Sequence, residues 1–289
     1  MKWGISTYSL YGAMKSGRMD VFEAMKWMKE TGAEHVEIVP GLGFDIHEEG
    51  MPEKIRDTAR ELGLDISNYA AGGNFVAASS SYEEELEKAF RHVDAAARLG
   101  AERMRYDVAS RPPAEATIVQ FEADLAVIVK ACRDIADYAA ARGIVLSIEN
   151  HGYHVQSSDR VLRILHEVGH PKFGLTVDIG NFMCADENSV AAVKKTIAHA
   201  TMLHLKDFYL RPASRPPGEG WFTTVSGNYL RGAIFGQGDI DAYEVLRVIR
   251  SSGYDGYVSI EFEGMEDCLR GTQIALDNAR RIWETVGQP

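Results

Sequence analysis

Four short apolar runs in the second half of the chain end in side chains that bind metal ions. They read Leu146-Ser147-Ile148-Glu149-Asn150-His151, Leu175-Thr176-Val177-Asp178-Ile179-Gly180-Asn181, Leu203-His204-Leu205-Lys206-Asp207 and Val258-Ser259-Ile260-Glu261-Phe262-Glu263. Successive side chains of a β-strand point to opposite faces. Ser147 and Glu149 therefore share a face, as do His204 with Lys206 and Ser259 with Glu261, while Ile148, Leu205 and Ile260 take the other. Polar groups aimed into an interior are costly unless paired or metal-bound. Together Glu149, Asp178, His204 and Glu261 offer three carboxylates and one imidazole. That donor set suits a hard or borderline divalent ion, Mn²⁺ first, with Mg²⁺, Co²⁺ or Zn²⁺ also compatible, and open positions for two substrate oxygens. One such strand end is most simply a salt bridge; four in succession point to a metal site.

The elements that must position these residues follow a regular rhythm. Six helix-like stretches end in glycine and lead into an apolar strand, at Gly32, Gly63, Gly100, Gly143, Gly169 and Gly253. Glycine just past a helix supplies the left-handed cap at little steric cost. Asp20 and Ser81 start helices with a glutamate three residues on, as in a capping box, and Asp159 and Asp241 are further N-cap candidates. The strands read as 2–7, 35–39, 64–70, 102–106, 144–149, 173–179, 201–206 and 256–262. Helical pattern fills 20–31, 52–62, 82–99, 116–142, 159–168, 188–199, 241–252 and 267–285. Alternation of this kind calls for parallel strands and right-handed crossovers. At 289 residues the closure it implies is a single-domain (β/α)8 TIM barrel over residues 1–289. A doubly wound open sheet is the alternative, but no G-x-G-x-x-G or P-loop follows the first strand, and Gly41-Leu42-Gly43 is too short to serve as either. Residues 208–238 break the rhythm as a long loop after the seventh strand, containing Trp221, Phe222 and Tyr229. Loops of that length are usually functional or disordered, and the aromatics argue for ordering against something. This one belongs at the barrel mouth, facing substrate or another subunit.

The formal charge is −11, which argues against nucleic acid as the main partner, because phosphate binding runs on an excess of Lys and Arg. No apolar run approaches the roughly 20 residues of a membrane span. The N-terminus reads as a strand without the apolar region of a leader. Cys132, Cys184 and Cys268 are too scattered to be a disulfide framework, so a reducing cytoplasm is expected.

These strand ends, Glu-Asn-His, Asp-x-Gly-Asn, His-x-Lys-Asp and Ser-Ile-Glu, resemble the xylose-isomerase-like TIM-barrel superfamily. More narrowly they are similar to its sugar (phosphate) isomerase/epimerase branch, which holds ketose 3-epimerases, inosose dehydratases and hydroxypyruvate isomerases. The resemblance spans nearly the whole chain and is strongest from about Ile144 to Gly264. It implies that Glu149, Asp178, His204 and Glu261 are the metal ligands, and that Glu149 and Glu261 double as the acid/base pair. It also implies substrate contacts from Asn181 and from Glu37, which ends the second strand. Lys206 follows the metal histidine in the same inward register; His151, His154, Arg211 and Trp221 are loop candidates for substrate contact. The chain departs from ketose 3-epimerases, which carry Glu where Val155 stands and Arg where Leu210 stands. It lacks the Glu-x-x-His and Asp-x-Asp pairs of true xylose isomerases. The endonuclease IV branch has His where Asn181 stands, and no Asp-x-His follows His204, so a metal-dependent nuclease is disfavoured.

The expected chemistry is proton transfer beside a carbonyl through a metal-bound enediolate, acting on a small carbohydrate or glycoside in a homo-oligomeric enzyme. The alternative is a lyase built on the same enolate, either an inosose-type dehydratase or an enzyme that expels an aglycone from a 3-oxo-glycoside. The aromatic loop 208–238 is the feature that favours it.

Overall fold

The computed structural model describes residues 1–77 and 79–287. Seven parallel strands run in chain order: β1 (Lys2–Ser6), β2 (His35–Ile38), β3 (Asp65–Gly72), β4 (Arg103–Asp107), β5 (Val145–Glu149), β6 (Phe173–Asp178) and β7 (Ala200–Leu205). A small antiparallel sheet follows, from β8 (Asp207–Arg211), β9 (Phe222–Thr223) and β10 (Tyr229–Ala233), before β11 (Tyr257–Ile260) pairs with both β7 and β1 to close an eight-stranded barrel. This is the expected TIM barrel. The 208–238 segment needs a correction, because it is not an open loop. Asp207–Arg211 pairs with Tyr229–Ala233, so backbone groups that a loop would leave to water are bonded within the sheet.

The helices are α1 (Tyr11–Lys15), α2 (Val21–Glu30), α3 (Met51–Leu62), α4 (Tyr82–Leu99), α5 (Ile118–Ala140), α6 (Ser158–Val168), α7 (Ser189–Thr196), α8 (Ala242–Ser251) and α9 (Cys268–Thr285). Asp20 and Ser81 form complete capping boxes, and Asp241 caps α8. Asp159 does not cap: α6 begins one residue earlier behind Ser157, and Asp159 sits in its first turn against Lys195. All six punctuating glycines take positive φ, between 56° and 88°. The short α1 after β1 carries no strong pattern in the sequence, and its buried Ala13 and Met14 hold it down.

Two irregularities aim the interior side chains. The β2–β3 register shifts after Val36, which brings Asn68 opposite Glu37 on the inner face. The β6–β7 register shifts after Leu175, which brings His204 opposite Asp178. Extra residues of this kind re-aim a strand's side chains. The outer face of the barrel is apolar, with Val36, Met104, Ile148, Val177, Leu203 and Ile260 buried under the helices. The inner face is polar. Gly4 makes room for it, since a Cβ there would lie 2.3 Å from the His35 carbonyl oxygen and 2.4 Å from its ring.

Candidate metal centre and pocket

Glu149, Asp178, His204 and Glu261 converge at the C-terminal end of the barrel. Each offers a ligand atom, the four atoms lie within 4.8 Å of one another, and all four residues are buried. His204 Nδ1 is 3.1 Å from Glu149, 3.6 Å from Glu261 and 3.9 Å from Asp178. Asp178 spends Oδ1 on the backbone N–H groups of Gly180 (2.8 Å) and Asn181 (2.9 Å). Its Oδ2 faces the Lys206 ammonium at 3.2 Å. Asn150 clamps the two strand ends: its Nδ2 donates to the Asp178 carbonyl and its Oδ1 accepts from the Asp178 N–H.

A second set of side chains supports the first. Glu37 is fully buried and does not line the pocket. Its Oε2 lies 2.9 Å from His204 Nε2 and accepts from Asn68 Nδ2 at 2.8 Å. Glu37, expected among the substrate contacts, sits behind the histidine, where inward register and the bulge place it. Burial alone would raise its carboxyl, but the charge of His204 outweighs that and holds it low. Nε2 is therefore committed to Glu37, and Nδ1 is the nitrogen turned to the acids. Arg105 went unnoticed in the sequence. Its Nε is 2.8 Å from Glu149 Oε2, and its Nη1 donates to Asp107 Oδ2 and the Ala71 carbonyl, both at 3.0 Å. Asp107 in turn meets His151 Nδ1 at 2.9 Å. The available signal was arginine at the inward position of the fourth strand, in register with Ser147.

The centre holds excess negative charge. Lys206 lies within it, 2.7 Å from Glu261, 3.2 Å from Asp178 and 3.5 Å from Glu263. Burial opposes its charge, yet the surrounding acids raise its pKa well above the ordinary lysine value. His204 is raised for the same reason, by Glu37, Glu261 and Glu149 against burial. Asp178 is pushed up to about 7, chiefly by burial, with Lys206 opposing. Glu261 is held well below the usual carboxylate range: burial raises it, but Lys206, His204 and Arg105 together prevail.

A cavity of about 360 Å³ opens onto this centre. Arg105, Glu149, His151, Asn181, Lys206 and Glu261 line it, together with Tyr8, Val39, Tyr153, Phe208 and Phe222. Phe208 and Phe222 come from the small sheet and meet edge-on, 5.5 Å between centroids. Tyr153, at φ 60°, ties that sheet to the β5–α6 loop by donating its hydroxyl to the Thr223 carbonyl at 2.9 Å. Asn181 is 3.3 Å from both Glu149 and Lys206. Neither Arg211 nor Trp221 is among the residues that line the cavity. Arg211 pairs with Asp239 at 3.3 Å and lies over the Trp221 ring. His154 is buried against Phe121, 2.9 Å from Asp124, and also lies off the pocket.

The residues fit a divalent cation. Four ligand atoms lie within 4.8 Å of one another, the set is carboxylate-rich, and Glu37 fixes the histidine from behind, as carboxylates do in metal sites. The chain belongs to the xylose isomerase-like TIM barrel family, whose sequence model matches residues 25–284. Its relatives are enzymes. Over 257 residues it is 23% identical to a putative hydroxypyruvate isomerase of Homo sapiens, covering 82% of this chain and 83% of that protein. Over 164 residues it is 24% identical to an inosose dehydratase of Geobacillus thermodenitrificans, where the match covers 56% of this chain and only about half, 54%, of that relative. Among solved structures, an IOLI protein with a bound zinc atom superposes with a TM-score of 0.72 at 17% identity, covering 99% of this chain and 98% of that one. At that identity the likeness is one of fold.

Proposed function

We propose that the protein is a divalent-metal-dependent isomerase or epimerase of a sugar or sugar derivative, working by proton transfer next to a carbonyl. The observation that carries this reading is the position of Glu149 and Glu261, both within reach of His204 Nδ1 but delivered by strands on either side of β6 and β7. Glu149, Asp178, His204 and Glu261 would hold the ion, Mn²⁺ first, with Mg²⁺, Co²⁺ or Zn²⁺ as the other candidates. A bound divalent ion would supply Lewis acidity to a substrate carbonyl oxygen.

The chain's own residues do the rest. Glu261, kept ionised by Lys206 and His204, removes the carbon-bound proton. Glu149 returns a proton to the opposite face or to the adjacent carbon. Lys206 and Asn181, 3.3 Å apart, donate toward the oxygen on which charge develops. Arg105 holds Glu149 in place. Incubation of the Mn²⁺-loaded protein with ketoses in deuterated water tests the reading. Deuterium should enter beside the carbonyl, and Glu261→Gln should stop it; undiminished exchange in the variant refutes the assignment.

The aromatic side chains in the cavity lining favour a second reading, elimination from the same enolate. A lyase would shorten the product by water or an aglycone, whereas an isomerase leaves the mass unchanged, so product mass separates the two.

A further inference from the structure

TIM barrels that bind phosphorylated substrates commonly place the phosphate at the loops after the last two strands, on a helix N-terminus. Here carboxylates of the chain occupy both places. After β7, the backbone N–H groups of Phe208 (2.9 Å), Gly236 (2.9 Å), Gly238 (3.0 Å) and Ile240 (3.3 Å) converge on an anion, and that anion is the buried Asp207 side chain. Such converging N–H groups are the kind of nest that cradles phosphate. After β11, the segment Glu261-Phe262-Glu263-Gly264-Met265-Glu266-Asp267 is acidic, and Asp267 caps α9 through the Arg270 N–H at 3.0 Å.

The cations lining the cavity are committed as well. Even counting only carboxylates outside the metal set, Arg105 and His151 face Asp107 and Lys206 faces Glu263. Glu263 stands at the mouth, 39% exposed, where its Oε1 accepts the Tyr8 hydroxyl at 3.2 Å. A bidentate phosphate or carboxylate site needs an unspent guanidinium or a set of free N–H groups. Among the described residues that line the cavity, none is offered. The rest of the lining includes Val39, Tyr153, Phe208 and Phe222.

Resting on the proton-transfer reading above, we propose that the substrate is an uncharged polyhydroxy ketone, and that the pocket discriminates against phosphorylated and carboxylated ones. The two named relatives fall on opposite sides of this line, since inosose is neutral and hydroxypyruvate is an anion.

The test uses the Mn²⁺-loaded protein with inosose, D-fructose, D-fructose 6-phosphate and hydroxypyruvate. Binding is measured by calorimetry and deuterium exchange by NMR. A neutral ketone should bind at least about 100-fold more tightly than fructose 6-phosphate or hydroxypyruvate. Glu263→Lys should narrow that gap about tenfold by strengthening fructose 6-phosphate. Tighter binding of either anion, an unchanged gap in the variant, or failure of both neutral ketones to bind overturns the proposal. Neutral-over-anion binding without any exchange leaves this selectivity standing and counts against the proton-transfer reading instead.

Discussion

The two halves of the barrel mouth do different work with the same kinds of side chain. Strands β5, β6, β7 and β11 end in Glu149, Asp178, His204 and Glu261, whose ligand atoms share one point. Strands β2, β3 and β4 contribute Glu37, Asn68, Arg105 and Asp107, which touch members of that set or one another rather than the shared point. A carboxylate is a candidate ligand in the first half and a holder of ligands in the second. Residue type does not separate the two roles; the direction of the partner does. Glu37 meets a nitrogen already turned away from the centre, while Glu149 meets the nitrogen turned toward it.

The sharpest way to break this division is to alter one member from each half. Glu261→Gln should lower solvent exchange of the substrate α-proton by about 10²–10⁴-fold. The unfolding midpoint should stay close to that of the unaltered protein, so that lost chemistry is not mistaken for lost fold. Equal losses from an altered supporting residue would erase the distinction.

Lower in the supporting half, His35 is buried with its pKa depressed to about 4, chiefly by burial. The unfolded chain takes up that proton near the ordinary value of about 6.5. A depressed pKa means that the stability from burying neutral imidazole is complete above pH 6.5 and is lost as pH falls toward 4. The loss should reach about 3 kcal/mol below pH 4. Urea unfolding between pH 7 and 4 should show it, and His35→Asn should flatten that part of the slope; an unchanged slope excludes His35 as the source.

Glu37→Gln keeps shape but removes the charge behind His204. Metal affinity measured by calorimetry should fall by about 10–100-fold, with activity recovering at saturating metal. If affinity is unchanged, Glu37 is only filling space. At the small end, Trp221→Ala and Arg211→Ala lie outside the cavity and should change kcat/KM less than about twofold. A larger effect would mean that the small sheet closes over substrate in a way its resting geometry does not show.

Much of this molecule is written locally. The glycine punctuation and capping boxes are read within a few residues, and they yielded the barrel with its strand order. Strand period and donor type likewise drew Glu149, Asp178, His204 and Glu261 out of four separate runs. The same local reasoning does not place Glu37 behind His204 or bring out Arg105, because their neighbours are remote in sequence. Glu37 and His204 are 167 residues apart, joined only when the barrel closes and a one-residue bulge turns Asn68 and Glu37 inward together. The segment 208–238 shows the same limit: its composition signalled an unusual insertion, but antiparallel pairing decided that Phe208 and Phe222 face the cavity and Trp221 does not. Periodicity and residue chemistry are properties of the chain. Which carboxylate faces a cation, which faces a histidine's far nitrogen and which fills an anion nest are set by register and closure, which act between residues that no short window contains.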